Sequence, residues 1–420
     1  MTKSTHRIIR ATVLATLVAA LIAGCSNAAS PDKTATSPAG SPAASSAASS
    51  PAVSGSANSV AGPSASGTSS QDELAAFEWG QDGGVVPKLP KRMAWANTTD
   101  TEPFIAFSNG MKAAAKDRGY GYMTAIANDN PQTNINQINS FLARGVGALM
   151  YQPLDMASQT PVLNKAISDG IFVPGLISAP STLQIAASQY AVGYTQGKAA
   201  ADWITANLGG NASVLYFNLD TVAQQLVIRH QGALDGLKTG GPGIKVVVDQ
   251  GATTQDDGFK ITNTALQAHP DITVVLGGDT PCLGALKALE QSKTDLSKVY
   301  ISGTDGASQA LDEIKKGGPY KASIAFAWPL MGYAIGQFSA DWMEGKQVPR
   351  VMVADPLLLD SPAKVDQYRA DMANPAAVFA DHTKLETYCP LLGQVSYATR
   401  TLVWQDAYTP TDGPAAPPTS

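Results

Sequence analysis

From Arg92 onward the chain repeats one unit: a short apolar run, a polar turn rich in Gly or Asn, then a stretch with helical periodicity. This alternation constrains the fold most, because parallel strands need long crossovers and right-handed crossovers lay helices on both faces of a sheet. A strand is expected over 92–98, after which Phe104, Phe107, Met111, Ala114 and Ala115 share one helical face that ends at Gly119 and Gly121. A second strand over 122–127 turns through Asn128-Asp129-Asn130-Pro131 into a helix with Ile135, Ile138, Phe141 and Leu142, Pro131 sitting in its first turn. A strand over 148–152, a helix through Val162, Leu163, Ala166 and Ile167 ending at Gly170, and a strand over 171–177 follow. A second series then runs helix 196–208, strand 213–218, a helix through Leu226, Ala233 and Leu237, strand 244–248, helix 259–267, strand 272–277, helix 283–289 and strand 299–303. About 250 residues of such units exceed one small open sheet, so the expectation is α/β, with two similar open, mostly parallel-sheet lobes joined by a hinge. A single closed barrel of eight units is the competing architecture.

Composition narrows the function classes. Of 420 residues 44% are hydrophobic but only 15% charged, and the 38 Gly and 27 Pro, with long Ala/Ser stretches, indicate linker as well as core. The formal net charge of −5, with no basic block beside an aromatic cluster, speaks against a nucleic-acid partner. Three cysteines and four histidines, without C-x-x-C or H-E-x-x-H, supply no metal ligand set, and no cofactor is expected. Phosphate-binding and nucleophile-elbow motifs are missing too, so no enzyme activity is expected.

Lys3, Arg7 and Arg10 precede an apolar run from Ala11 to Gly24, fourteen residues long. A membrane-spanning helix needs about 20, so the run reads as a secretory signal. It ends Leu21-Ile22-Ala23-Gly24-Cys25, which resembles the lipobox of bacterial lipoproteins. The resemblance implies cleavage after residue 24, acylation of Cys25 and a chain exported and lipid-anchored to the outer face of the bacterial cytoplasmic membrane. The following Ser/Ala/Pro/Gly/Thr stretch has too little apolar material to offset its ordering entropy and reads as a disordered leash over 25–72.

Ligands of open α/β sheets bind at the carboxyl ends of the strands, and two lobes would place those ends on either side of a cleft. The residues there include Asn97, Thr98, Asn128, Gln152, Ser178, Asn218, Asp279 and Asp305. Amides, hydroxyls and a few carboxylates suit a ligand with many hydroxyl groups, with aromatic faces covering its C–H faces.

Several collinear stretches resemble the type I periplasmic sugar-binding proteins, the ribose-binding relatives. They are Pro103-Phe104-Ile105 to Gly110; Asn128-Asp129-Asn130-Pro131 through Ile138, Gly145-Val146 and Gln152-Pro153-Leu154-Asp155; Arg229 with Gly232; His269-Pro270-Asp271-Ile272; Asp279 through Leu283-Gly284-Ala285-Leu286 to Leu289; and Gly303-Thr304-Asp305-Gly306. The likeness runs from about Arg92 to about Tyr368. It implies a two-lobed receptor that closes on a sugar-like small molecule and delivers it to an ABC permease with its ATPase subunit, working as a monomer. By that likeness the first lobe takes 88–194 plus 327–355, the second 195–326 plus 356–400, and 405–420 form a disordered tail. A sensory receptor of the same fold, reporting to a membrane signalling partner, is the alternative.

The resemblance implies that Asp305 accepts from sugar hydroxyls, that Phe104 stacks on the sugar, and that Arg229 lies at the second-lobe rim. Asp305 could instead cap the helix that follows it, and Arg229 could form a surface salt bridge. Asp279 matches the aspartate of the family's Asn-Asp pair, with Gly278 replacing the asparagine, and capping competes with binding there. The family's Asp-Arg pair falls on Ile177-Ser178, a polar cleft position on Phe326 and an Asp-Asn pair on Val192-Gly193, so the pocket is less polar than one for ribose. Phe326 and Trp328 divide between stacking and hinge packing, Gln225 is a further cleft candidate, and mid-strand Trp95 reads as core. Cys282 and Cys389 either pair in an oxidising exterior or remain separate buried thiols. An enzyme using Asp279 and Asp305 as paired carboxylates is the remaining rival, since a glycosidase needs such a pair.

Overall fold

The computed structural model describes residues 77–84, 86–176, 180–222, 224–390 and 392–393, without the side chains of residues 224 and 225. The first sheet is built from β1 (Arg92–Asn97), β2 (Gly121–Ile126), β3 (Ala148–Tyr151), β4 (Pro174–Leu176), β5 (Leu183–Ala186) and β11 (Val351–Val353). These strands lie in the order β11-β5-β4-β3-β1-β2, all parallel. The second sheet holds β6 (Ala212–Asn218), β7 (Ile244–Gly251), β8 (Ile272–Leu276), β9 (Tyr300–Asp305), β10 (Tyr320–Ala325) and β12 (Leu357–Leu359), in the order β12-β10-β9-β8-β6-β7. Only β12 runs antiparallel. Two open six-stranded sheets replace the closed barrel as an architecture.

The chain passes between sheets three times, after β5, after β10 and between β11 and β12. Each passage leaves the carboxyl end of a strand, so the carboxyl ends of both sheets lie on the side of the connections. The expected helices are present as α1 (Glu102–Asp117), α2 (Pro131–Ala143), α3 (Met156–Ser168), α4 (Gln189–Leu208), α5 (Gln224–Lys238), α6 (Gln255–Ala268) and α7 (Asp279–Gln291). After them come α8 (Ser308–Lys316), α9 (Trp328–Met343), α10 (Pro362–Ala373), α11 (Pro375–Ala380) and α12 (His382–Glu386). Local chemistry sets their ends: the Asn130 side chain accepts from Thr133 N at the start of α2, with Pro131 next, and α4 stops at Gly209 in the left-handed region (φ 64°).

Glycine decides which helices pair. Gly193 and Gly197 on α4 meet Gly232 and Gly236 on α5, and a Cβ at Gly193 would run into the Arg229 carbonyl, one at Gly197 into that of Ala233. Gly110 on α1 and Gly332 on α9 meet in the same way, as do Gly258 on α6 and Gly284 on α7. Backbones this close leave no room for even one methyl group. α9 is buried on nearly all sides, as its composition WPLMGYAIGQFSADWM requires. It packs against α1 and also against α11, where Trp79 stacks on His382 (3.9 Å between centroids) and lies 5.8 Å from Phe338. Both ends of the described chain are thereby fastened to the first lobe's core.

Gly197→Ala is expected to lower the unfolding free energy by about 1–3 kcal/mol through overpacking. Gly318→Ala, where an added Cβ meets nothing within 4 Å, should change it little. Urea denaturation of both variants checks the contrast.

Candidate functional site

The candidate residues form two walls. On the first lobe, Asn97 ends β1 and Thr98 follows it, both buried. Asn97 Oδ1 accepts from Thr99 N (3.3 Å), and Thr98 Oγ1 donates to Gln152 Oε1 (2.8 Å) beyond β3. Phe104, in the first turn of α1, stands edge-on to Trp328 (5.5 Å, 71°) and to Trp95 (6.2 Å, 82°). Trp95 is fully buried and packs on Phe107, which makes it core. Phe104 and Trp328 are half-buried and pack against the edge of the first lobe's core.

On the second lobe, α5 and β9 meet. Arg229 donates from Nε and Nη2 to Gln189 Oε1 (3.0 and 2.7 Å) and from Nη1 to Thr304 Oγ1 (3.3 Å). Asp305 ends β9 with φ at 100°, a region that costs a residue with a Cβ about 1–3 kcal/mol and that clusters at functional sites. Burial raises its carboxyl pKa, while the Arg229 charge opposes the rise. Asp305 does not cap α8, whose N-cap position is Ala307 without a side-chain bond, so the capping alternative falls away. Arg229 is held inside its own lobe by neutral partners, not by a surface salt bridge.

Asp279 belongs to the framework behind this wall. It is buried at 2% exposure, with Oδ1 accepting from the Tyr320 hydroxyl (2.7 Å) and Oδ2 from Ser323 Oγ (2.8 Å) and Ala307 N (2.7 Å). Three donors from β10 and the β9–α8 turn occupy the carboxylate, which corrects both the ligand and the α7-cap expectations. Burial pushes its pKa up to about 7 against the pull of those donors. Asp279 thus fixes Ala307 and, through Ser323 Oγ, which accepts from Gly306 N (3.1 Å), the turn directly after Asp305.

Other expectations change as well. Phe326 is buried in the first lobe's core, so it packs the connection and offers no stacking face. Asn128 is exposed in a left-handed turn (φ 50°) after β2. Cys282 and Cys389 are free thiols buried in different cores, so the disulfide is not formed. Cys25 and Ser178 lie outside the described residues, as does the side chain of Gln225. Gln189 was not legible from sequence, because its role rests on a contact with a residue forty positions away. Among the described residues no cluster of three or more His, Cys, Asp or Glu could hold a metal, and no helix is long and apolar enough to cross a membrane.

One guanidinium, one carboxylate and two aromatic faces can bind a small molecule with hydroxyl groups and an apolar face. Residues 93–347 match the periplasmic binding protein domain, and the chain belongs to that family, whose members bind solutes for transport. Similar proteins include a ribose import binding protein of Bacillus subtilis, 26% identical over 268 residues (63% of this chain, 85% of the relative). A D-apiose import binding protein of Paraburkholderia graminis is 28% identical over 227 residues (52% and 70%). Among solved structures, a solute-binding protein of Bacillus halodurans with bound myo-inositol matches at 19% identity, a TM-score of 0.59 and 68% and 99% coverage, which supports the two-lobed α/β fold.

The raised pKa of Asp279 has a consequence for stability. The native state holds this proton more tightly than the unfolded chain, whose aspartates titrate near about 4. The contribution is therefore complete below about 4 and lost as pH rises through about 7. Asp279→Asn should remove that dependence, so its stability relative to the parent should improve between pH 4 and pH 8 by urea denaturation.

Proposed function

We propose that this protein is an extracytoplasmic solute receptor that captures a sugar or sugar-like molecule by lobe closure and delivers it to an ABC transporter permease. The observation that carries the reading is the division of ligand-capable groups between lobes: Phe104 and Trp328 stand on one, Arg229 and Asp305 on the other, with three connections between the sheets. Ligand contacts from both sides exist only in the closed form, so binding shifts an open–closed equilibrium that a permease can read. The relatives named as ribose and D-apiose import binding proteins support a sugar ligand. The sequence of residues 1–72 supports export, with acylation at Cys25 and a leash to the folded lobes. We assign the first lobe to 88–187 plus 326–355, with 375–393 packed on its core, and the second to 188–325 plus 356–373, since α4 from Gln189 packs on α5 and α10 enters the second core; the receptor works as a monomer.

The site is a weakly charged one. Phe326 is packed into the core, and Asp305 is the one carboxylate of this wall not already occupied by framework donors. A ligand with fewer donor hydroxyls than a free pentose, such as a deoxy or alkylated sugar, fits that balance. A thermal-shift panel of D-ribose, D-apiose, D-allose, xylitol, myo-inositol and 5-methylthioribose tests the class. A true ligand at 100 times its Kd adds about 2.7 kcal/mol and should raise Tm by a few degrees. Asp305→Ala should weaken the binding of whichever compound responds by about tenfold or more while the free protein's fold is retained, and unchanged affinity would remove Asp305 from the site.

A further inference from the structure

Apart from the chain connections, a polar contact joins the start of a first-lobe helix to the start of a second-lobe helix. Glu102, the first residue of α1 on the first lobe, reaches the first residue of α8 on the second. Its carboxylate accepts from Ser308 N (3.2 Å to Oε1, 3.3 Å to Oε2) and from the Ser308 hydroxyl. α8 has no side-chain cap of its own and no acidic residue in its first turn. Its leading N–H groups are instead divided between lobes: Ala307 N donates to Asp279 of the same lobe, and Ser308 N to Glu102 of the other.

We propose that Glu102 is a cap supplied in trans, a clasp that forms only when the lobes close and that sets how strongly the closed form is favoured. The inference rests on the lobe-closure reading. A carboxylate at a helix N-terminus gains from the helix dipole as well as from charge-assisted hydrogen bonds. When the lobes part, Glu102 and the Ser308 N–H return to water and that gain is lost. The clasp is also placed to bridge the candidate ligand groups: Glu102 lies two residues before Phe104, and Ser308 three after Asp305. Arg369 holds Ser308 from the other side, donating from Nη2 to the Ser308 carbonyl (2.9 Å), so α8 presents its N-terminus from a fixed position. Glu102 is therefore a positioning residue that acts on closure without touching the ligand.

Two substitutions test the clasp without disturbing either lobe. Glu102→Ala removes the acceptor from an exposed helix start. Ser308→Pro removes both donors at a first helical position, where proline is well tolerated, and the preceding Ala307 already has the extended backbone (φ −58°, ψ 136°) that proline demands. Spin labels at Lys116→Cys and Glu290→Cys, both exposed and on opposite lobes, report the interlobe distance in the full chain. The background carries Cys25→Ser, and the two remaining cysteines are buried. The distances are measured without ligand and with each of D-ribose, D-apiose, D-allose, xylitol, myo-inositol and 5-methylthioribose.

The expected result is a closed-to-open ratio reduced about tenfold by either substitution, less by Ser308→Ala, which keeps the N–H donor. Identical distance distributions in parent, Glu102→Ala and Ser308→Pro overturn the clasp, as does a parent that is open under all conditions. If a sugar closes the parent and closes Glu102→Ala equally well, the clasp falls while the receptor reading stands. If no sugar binds but the two substitutions still open the ligand-free chain, the clasp stands and the sugar reading falls.

Discussion

The close approach of helix backbones across glycine is the constraint on which the rest of this structure depends. At the α4–α5 contact, Gly193 and Gly197 face Gly232 and Gly236, and the helices touch almost main chain to main chain. That distance sets where α5 presents Arg229, because Gln189, its hydrogen-bond partner, is the first residue of α4. On the other lobe the α1–α9 contact at Gly110 and Gly332 fixes the relation of Phe104, one turn into α1, to Trp328, the first residue of α9. At the α6–α7 contact Gly258 and Gly284 seat the start of α7, where Asp279 holds the turn after Asp305. Each functional wall is thus positioned by a pair of helices whose separation has almost no freedom.

The two aspartates illustrate how environment assigns roles to one side-chain chemistry. Asp279 is surrounded by donors from its own lobe, and three of them, Tyr320, Ser323 and Ala307 N, fill its oxygens. A carboxylate so occupied cannot serve a ligand without losing contacts that hold β10 to the β9–α8 turn. Asp305 has no such retinue, and Arg229 is the charge that acts on it. Its backbone at positive φ is held by the turn that Asp279 fastens, so one aspartate spends its hydrogen bonds to aim the other.

The alternation of strand and helix was legible because β1, β6 and β8 each carry five to seven residues of strong apolar pattern bounded by turn residues. The short strands β5, β11 and β12 were not, since three or four residues carry no periodicity to speak of. Phe104, Arg229 and Asp305 could be nominated by family likeness, and all three occupy the two walls. Sequence could not separate Asp279 from Asp305, because both stand at a strand-to-helix junction. What separates them is which donors arrive from β10, more than forty residues away from Asp279. The Gln189 and Glu102 contacts were hidden for the same reason: each joins segments distant in sequence, and neither residue type is unusual at a helix start.

Beyond the matched region the chain adds to both lobes, with β12 and α10 joining the second while α11 and α12 pack on the first. Trp79 and His382 stack beside Phe338 and Phe379, and α12 sends Leu385 into the same core that holds α9. Asp371 ties α10 to this layer through Lys384 and the Tyr388 hydroxyl. The layer deepens the first lobe's core and clamps α9 from two sides, and through Asp371 it is tied to α10, whose Val365 and Tyr368 enter the second core. The C-terminal helices thereby span the two lobes beside the chain connections, α10 packed into the second core and α11 and α12 into the first.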